Sequence, residues 1–187
     1  MPAPPAYPIR TERLRLRPYR LSDLDALADL RGRKDVVRYL EWGVRSREEV
    51  MATVERRLEL THLDDDRSDL VLVIEHGETG TFLGDIGLHW ASREHRQGDL
   101  GWVVHPNHAS RGYATEAALA MLRLGFDHYG LHRICARLDA RNAASVRVCE
   151  KLGMRREALL RENEWIKGEW TDEAVSALLR SEWDARA

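Results

Sequence analysis

A short turn at residues 109–115, ASRGYAT, joins an apolar run to a helix rich in small residues. The N terminus of a helix presents backbone N–H groups without partners and a partial positive charge, so a turn that exposes them binds anionic oxygens. Gly112 and Ala114 have little or no side chain to hold a phosphate away from the backbone. The Gly-Lys-Ser/Thr of a P-loop and the glycine triplet of a dinucleotide site are both missing, which disfavours a nucleoside triphosphate or NAD. The turn therefore predicts a phosphate site of another kind.

The elements that position this turn follow from hydrophobic periodicity and from glycine and proline. Ser46 and Glu49 form a capping box for one helix, and Gly130 suits the end of another. The predicted strands are 11–17, 69–77, 80–90, 98–106 and 132–139, followed by a hairpin over 154–183 that turns near Lys167 and Gly168. The predicted helices are 21–30, 46–60, 113–130 and 142–153.

The order of these elements, β-α-α-β-β-β-α-β-α-β-β, predicts an α/β fold, an α+β sandwich of helices on a mixed and mostly antiparallel sheet. The strands between 69 and 106 form an antiparallel meander, whereas a connecting helix makes 98–106 and 132–139 parallel. No internal repeat or linker divides the sequence. We therefore expect residues 1–187 to form one domain, with a flexible, proline-rich tail at 1–9.

Composition and charge restrict the function. Charged residues make up 32% of the chain and the formal net charge is -2, which is unlike the basic surface of a nucleic-acid-binding protein. Cys135 and Cys149 are the two cysteines, too few for a disulfide framework or a cysteine-based zinc site. The N terminus lacks a signal-peptide pattern, and no apolar run approaches about 18 residues. These features predict a soluble, cytoplasmic protein without nucleic-acid, membrane or metal partners.

Several stretches in a defined order carry a resemblance to a known family. They are TERLRLRP at 11–18, GDIGLHW at 84–90, GDLGWVVHP at 98–106, SRGYATEA at 110–117 and NAASVRVCEKLGM at 142–154. In these stretches the sequence resembles the GCN5-related N-acetyltransferases (GNAT), and within them the ribosomal-protein N-terminal acetyltransferases (RimJ/RimL-like). The resemblance spans residues 11–183. It implies the GNAT fold, in which the fourth and fifth strands splay apart, and transfer of an acetyl group from acetyl-CoA to an amine.

In that family the turn has the pattern Gln/Arg-x-x-Gly-x-Gly/Ala, and its backbone amides grip the pyrophosphate of acetyl-CoA. Gly112 and Ala114 match the pattern, whereas Ala109 replaces its first polar residue and removes one side-chain contact. Arg111 is either a point charge toward a phosphate or a solvated arginine. The cofactor-binding residues that the resemblance implies at this turn are Arg111, Gly112, Tyr113, Ala114 and Thr115.

The resemblance also implies cofactor contacts near the splayed strands. Val103 and Val104 offer backbone groups to the pantetheine arm and an N–H near the thioester oxygen, while their side chains are expected to be ordinary core. Asn142 matches a position that contacts the pantetheine arm, and its side chain serves equally well as a helix N-cap. Ser145 matches a position near the thioester sulfur, where it is a candidate acid; the alternative is a serine on the helix surface.

Acetylation of an amine by direct attack on a thioester needs a neutral amine, an oxyanion donor and a proton for the leaving thiolate. Many relatives have a tyrosine acid seven residues after the asparagine, but here that residue is Cys149, which either donates a proton or fills the core. His89 and Asp99 are the candidate bases, and ordered water is an alternative. Histidine titrates near neutrality. Glu116 is a more distant base, and its position in the first turn of a helix also suits the helix dipole.

The acceptor is left open by these residues. Deprotonation at pH 7 costs about 1 kcal/mol for a terminal α-amine and over about 4 kcal/mol for a lysine, so a weak base suffices for the first. The resemblance implies a protein N-terminal α-amine; the alternatives are a small amine, such as a polyamine, amino acid or antibiotic, and a non-catalytic acyl-CoA sensor. Acidic side chains in the cleft favour a small cation, and a long groove favours a peptide. The edge of the final hairpin also suggests a homodimer.

Overall fold

A computed structural model describes residues 3–64 and 69–186, and within them eight strands form one sheet with helices on both faces. The strands are β1 (Ile9–Arg10), β2 (Leu14–Arg17), β3 (Asp69–His76), β4 (Phe82–Ser92), β5 (Gln97–Val104), β6 (Arg133–Asp139), β7 (Arg155–Ile166) and β8 (Glu169–Leu179). The helices are α1 (Leu24–Arg31), α2 (Lys34–Val37), α3 (Arg47–Arg57), α4 (Tyr113–Arg123), α5 (Ala143–Lys151) and α6 (Arg180–Asp184). None of these helices is long and apolar enough to cross a bilayer.

The strands lie in the order β1-β2-β3-β4-β5-β6-β8-β7. Each neighbouring pair is antiparallel except β5 and β6, which the intervening α4 makes parallel. Lys167 and Gly168, both with positive φ, form the tight turn that folds β7 and β8 into the predicted hairpin. The mixed, mostly antiparallel sheet with flanking helices confirms the predicted fold class.

The strands β5 and β6 separate along their length. Their parallel pairing joins Gln97 to Arg133, Gly98 to Ile134 and Asp99 to Cys135. Beyond these pairs the two strands continue to Val104 and Asp139 with no further pairing to each other in the described chain. One backbone edge of β5 therefore faces a gap, which is the splay that the family resemblance implied.

Two apolar cores lie on opposite faces of the sheet because successive side chains of a strand point to opposite sides. Leu72 of β3 belongs to the larger core, together with Met121 of α4 and Leu152. Val71 and Val73 of β3 belong to the smaller core, which α1 and α3 cover. The smaller core ends near β4, so the same face above β4, β5 and β6 is available to polar side chains.

Local signals account for the ends of several elements. The hydroxyl of Ser46 accepts a hydrogen bond from the amide of Glu49, whose carboxylate accepts one from the amide of Ser46, so the predicted capping box begins α3. Gly130 has a φ of +65° and follows Tyr129, the C-cap of the helical segment 113–128, as predicted.

The start of the chain is anchored where the sequence predicts a flexible tail at 1–9. Ile9 pairs with Leu16 in the sheet, and the hydroxyl of Tyr7 donates a hydrogen bond to the carbonyl of Thr61. Residues 1 and 2 lie outside the described part of the chain. The sequence gives no sign of these contacts because they join segments that are far apart along the chain.

The strand β7 forms one edge of the sheet, and its side chains are largely exposed. Leu159 and Leu160 are 49% and 38% exposed. Association of two copies through this edge stays a prediction.

Candidate active site

The turn before α4 leaves the first amides of the helix uncovered. Gly112 is the N-cap with a φ of +83°, and Ser110 has a φ of +61°, so two left-handed residues turn the chain sharply into the helix. The first helical bond runs from the amide of Glu116 to the carbonyl of Gly112 at 3.0 Å. Because no described side chain caps this helix, the amides of 113–115 are left to bind a ligand.

Glu116 fastens this turn to the start of β2. Its carboxylate accepts hydrogen bonds from the hydroxyl of Thr11 at 2.6 Å and from the backbone and Nε of Arg13, each at 2.8 Å. Burial alone would raise the pKa of Glu116, but the bonds from Thr11 and Arg13 hold it below its usual value. Arg13 also donates to the carbonyl of Arg111 at 3.0 Å. Glu116 thus shapes the turn and does not line the cleft that is described next.

Two predicted turn residues differ in what their side chains can reach. The side chain of Arg111 is exposed to solvent, so its role toward a phosphate stays a prediction. The ring of Tyr113 is 8% exposed and packs edge-on against His76, with 5.9 Å between the ring centroids. Tyr113 therefore offers its backbone amide, and its ring belongs to the core.

A cleft of about 340 Å³ opens over β4, β5 and β6, between the α1 side of the fold and the β7–β8 hairpin. Gly87 and Gly101 pair across β4 and β5 in its floor. A Cβ added at Gly101 would meet nothing within 4 Å, which shows how open the floor is. Four predicted site residues line this cleft: His89, Val103, Asn142 and Ser145.

Asn142 and Ser145 enter the cleft from the first turn of α5. The side-chain oxygen of Asn142 accepts a hydrogen bond from the amide of Ser145 at 3.1 Å, so Asn142 is the N-cap of this helix. Its amide group remains free to donate to a ligand, because an N-cap uses the oxygen alone. Val104, the last residue of β5, packs against the larger core.

His89 lies on β4 and is held by a carboxylate. Its Nδ1 is 2.7 Å from Oδ1 of Asp69, which pairs with His89 across β3 and β4. A Cβ added at Gly87 would lie 2.8 Å from Nε2 of His89, so this nitrogen leans over the glycine floor of the cleft. A histidine whose Nδ1 is bonded to a carboxylate keeps Nε2 available for a proton.

Asp99 lies beside His89 but does not line the cleft. The two residues pair across β4 and β5, so they share one face of the sheet. Burial raises the pKa of the Asp99 carboxyl, and Arg137 and His89 oppose this rise. The structure thus places Asp99 next to His89 on the same face of the sheet but not among the residues that line the cleft.

Cys149 is not brought to the cleft. Its side chain is 1% exposed within the larger core, and burial raises the pKa of the thiol to about 11. Cys149 follows Ser145 by four residues, or about 6 Å along a helix axis, and a cysteine side chain is too short to span that distance. Its position agrees with the alternative of an apolar core filler.

An ionic group at the α1 end of the cleft was missed in the sequence. Asp85 accepts a hydrogen bond from the hydroxyl of Tyr19 at 2.8 Å and from Nη1 of Arg57 at 2.6 Å. Burial alone would raise the pKa of Asp85, but Arg57 and then Arg31 hold it below its usual value. One signal was available: Asp85 precedes His89 by four residues in a predicted strand, so both carry their side chains on one face.

Carboxylates gather on the hairpin side of the cleft, where Glu41, Asp139, Glu164 and Glu173 lie. Glu173 is 4% exposed and accepts hydrogen bonds from Arg137 at 3.1 Å and Asn163 at 3.0 Å. Burial raises the pKa of Glu164, and Glu173 and Glu41 raise it further. Among the described residues, no group of three or more His, Cys, Asp or Glu side chains is placed to hold a metal ion.

Comparison with known proteins decides the family. Residues 13–155 match the acetyltransferase (GNAT) domain. The chain belongs to the GNAT family. It is 34% identical over 176 residues to the uncharacterized N-acetyltransferase YnaD of Bacillus subtilis, covering 94% of this chain and 99% of that protein. The crystal structure of a GNAT-family acetyltransferase from Bacillus anthracis superposes with a TM-score of 0.83 at 32% identity, covering 93% of this chain and 99% of that one. Spermidine N(1)-acetyltransferase of Escherichia coli is 26% identical over 161 residues, which are 84% of this chain and 81% of that protein.

As a member of the GNAT family, the chain is an acetyl-CoA-dependent N-acyltransferase. Two features of the structure fit this cosubstrate. The uncovered amides after Gly112 suit a pyrophosphate, and the unpaired edge of β5 suits an extended arm that bonds to a strand backbone. Val103 of β5 also lines the cleft, so this edge of the strand borders it.

Proposed function

We propose that this chain transfers the acetyl group of acetyl-CoA to a primary amine that enters the cleft over β4 and β5. One observation carries the proposal: the gap between β5 and β6 opens into a cleft lined by His89, Asn142 and Ser145. A thioester in the gap and an amine in the cleft would meet at the glycine floor. Holding both reactants in this way lowers the entropic barrier to their reaction.

Backbone groups would hold most of the cosubstrate. The amides of 113–115 bind the pyrophosphate, and Arg111 adds a charge from the solvent side. Val103 and Val104 bond to the pantetheine arm through the backbone, and Asn142 donates from its free amide group. Ala109 in the first polar position of the family pattern weakens none of these backbone contacts.

The proton transfers are assigned to two side chains. The amine nitrogen attacks the thioester carbon, and Nε2 of His89 takes the proton that the amine loses while Asp69 holds the ring. The carbon–sulfur bond then breaks, and the hydroxyl of Ser145 relays a proton to the thiolate while it regains one from water, as His89 gives its proton up to water. Asp99 supports His89 through its charge, and Cys149 takes no part because it does not reach the cleft.

A protein N-terminal α-amine is the acceptor we favour. An α-amine needs about 3 kcal/mol less than a lysine to become neutral at pH 7, and a single imidazole in contact with water is enough for it. The side chain of His89 is 41% exposed, so water is able to carry the proton away.

A small cationic amine is the second candidate, and a specific observation favours it. Glu164 and Glu41 lie near the buried Glu173 at the hairpin side of the cleft, and this concentration of carboxylates attracts ammonium groups. The spermidine acetyltransferase of E. coli, which is similar over most of its length, acts on such a compound.

Calorimetry with acetyl-CoA and a thiol-release assay with peptides and small amines test the proposal. We expect acetyl-CoA to bind and thiol release to depend on an acceptor. His89→Gln should lower kcat by about a hundredfold or more and leave the affinity for acetyl-CoA unchanged. His95→Gln is the control, because His95 is an exposed histidine in the β4–β5 turn. This variant should keep both the kcat and the acetyl-CoA affinity of the wild type. Binding without acceptor-dependent release would favour the acyl-CoA sensor instead.

A further inference from the structure

Arg31 ends α1 with a buried guanidinium that is poorly satisfied. Its side chain is 9% exposed and lines the cleft. Its Nε is buried without a hydrogen-bond partner, and its ion pair with Asp85 is long, at 3.8 Å. The ring of Trp42 lies 4.5 Å from the guanidinium carbon and covers one of its faces. No described residue accepts a close hydrogen bond from this guanidinium, although buried arginines normally have such partners.

The charges around Arg31 do not balance. Arg31 and Arg57 share the single carboxylate of Asp85, and Arg57 holds that carboxylate at 2.6 Å. Burial lowers the pKa of Arg31, and Arg57 and Arg45 lower it further against the opposing effect of Asp85. The group therefore keeps one excess positive charge at the cleft surface. An uncompensated buried charge is costly, and an anion that enters the cleft would remove that cost.

We propose that Arg31 binds a carboxylate of the acceptor, so that the acceptor is an amine that also carries an anionic group. This inference rests on the proposed function, since it names the chemistry of the molecule that the cleft acetylates. A planar guanidinium offers two parallel N–H donors that match the two oxygens of a carboxylate.

The spacing along β4 fits an amine and a carboxylate in one small molecule or one residue. Asp85, beside Arg31, precedes Gly87 by two residues, or about 7 Å along a strand, and His89 lies about the same distance further on. An amine over Gly87 and Gly101 is then within reach of His89 while its carboxylate reaches Arg31. An N-terminal glutamate and γ-aminobutyrate both have such a pair of groups, whereas a polyamine leaves Arg31 without an anion.

Matched acceptors test this assignment. The first pair is a peptide that begins with glutamate and the same peptide that begins with glutamine; the second is γ-aminobutyrate and its amide. The kcat/KM ratio of acidic to neutral acceptor is measured for wild type, Arg31→Met and Arg31→Gln. Arg56→Met is the control, because Arg56 is the exposed neighbour of Arg57 on α3. Circular dichroism reports whether each variant is folded, and acetyl-CoA affinity reports whether its cosubstrate site is intact.

We expect wild type and Arg56→Met to prefer the acidic acceptor by about tenfold or more, as a charge-assisted pair provides. Arg31→Met and Arg31→Gln should lose that preference and keep their affinity for acetyl-CoA. Equal use of both acceptors by wild type would overturn the inference whether or not the variants fold. A preference that survives in Arg31→Met would overturn it as well, and so would weaker acetyl-CoA binding by a folded Arg31→Met.

A binding measurement separates this inference from the proposed function. The N-acetylated forms of the two peptides cannot react, so calorimetry measures their affinities without turnover. The acetylated glutamate peptide should bind wild type about tenfold more tightly than the acetylated glutamine peptide, and Arg31→Met should abolish this difference. That result would support carboxylate binding by Arg31 even if the protein acetylated no amine. If amines are acetylated and this difference is absent, the function stands and the role of Arg31 is wrong.

Discussion

Replacing Gly112 by alanine should weaken both the fold and the binding of acetyl-CoA, whereas the same change at Gly130 should weaken the fold alone. Gly112 has a φ of +83°, and Gly130, which provides a matched control, has a φ of +65°. A residue with a side chain costs about 1–2 kcal/mol in this left-handed conformation, so both Gly112→Ala and Gly130→Ala should destabilise the protein by that amount. For a chain of this length the melting temperature should fall by about 2–8 °C in both variants.

The two variants should differ in ligand affinity because their surroundings differ. The added Cβ at Gly130 meets nothing within 4 Å, whereas at Gly112 it lies 3.3 Å from Nη2 of Arg13, which fastens the turn. We expect this contact to shift the turn, which would then lose at least one of the hydrogen bonds that we propose between its amides and a phosphate. Such a charge-assisted bond contributes about 1.5–3 kcal/mol, so the dissociation constant for acetyl-CoA should rise about tenfold to a hundredfold.

Thermal denaturation and calorimetric titration with acetyl-CoA give the two quantities for each variant. We expect similar losses of stability in both variants and a loss of acetyl-CoA affinity in Gly112→Ala alone. If Gly112→Ala binds acetyl-CoA as tightly as Gly130→Ala does, the turn before α4 is not the phosphate site.

Three further predictions concern the cleft and the core. Ser145→Ala should lower kcat by about a hundredfold, whereas Cys149→Ala should keep kcat and lower the melting temperature. The thiol-release assay measures kcat for both variants, and thermal denaturation measures their melting temperatures. Burial raises the pKa of Cys149 to about 11, so the native protein should resist iodoacetamide at that cysteine at pH 7. The thiol should react only when the protein is unfolded or at strongly alkaline pH. Rapid labelling of the native protein, detected by mass spectrometry, would contradict this. Asp85→Asn should destabilise the fold by about 3–5 kcal/mol, since it leaves Arg57 buried without its anion, and urea denaturation measures the loss. The pKa of Asp85 is lowered in the folded protein, so its contribution is present at neutral pH and is lost as the pH falls through the acidic range; a wild-type stability that stays constant there would refute it.

Features that depend on neighbouring residues were predictable. The apolar runs in 69–77 and 80–90 predict β3 and β4, whose consecutive residues are buried on both faces of the sheet, and such a run is visible in the sequence itself. The capping box at Ser46 follows from bonds that span three residues, and the turn at Gly112 follows from the positive φ that glycine tolerates. The same locality explains why a single short stretch of sequence is enough to predict the phosphate turn.

Features that depend on strand register or on helix placement were not predictable. The bond between His89 and Asp69 exists because β3 and β4 pair in one register, and a shift of one residue would turn the two side chains to opposite faces. Cys149 fails to reach the cleft because its side chain packs into the larger core among residues of other elements. Tyr7 and Ile9 are anchored by residues from other elements.

The sequence by itself determined the order of the main strands and helices, the turn at Gly112 and the resemblance to an acetyl-CoA-dependent transferase, because each depends on local spacing, but it did not reveal β1, α2 or α6. The tertiary structure alone decided which polar side chains share the cleft. Arg31 shows the reason: its charge is visible in the sequence, but its burial beside a carboxylate already held by Arg57 arises only when α1, α3 and β4 pack together.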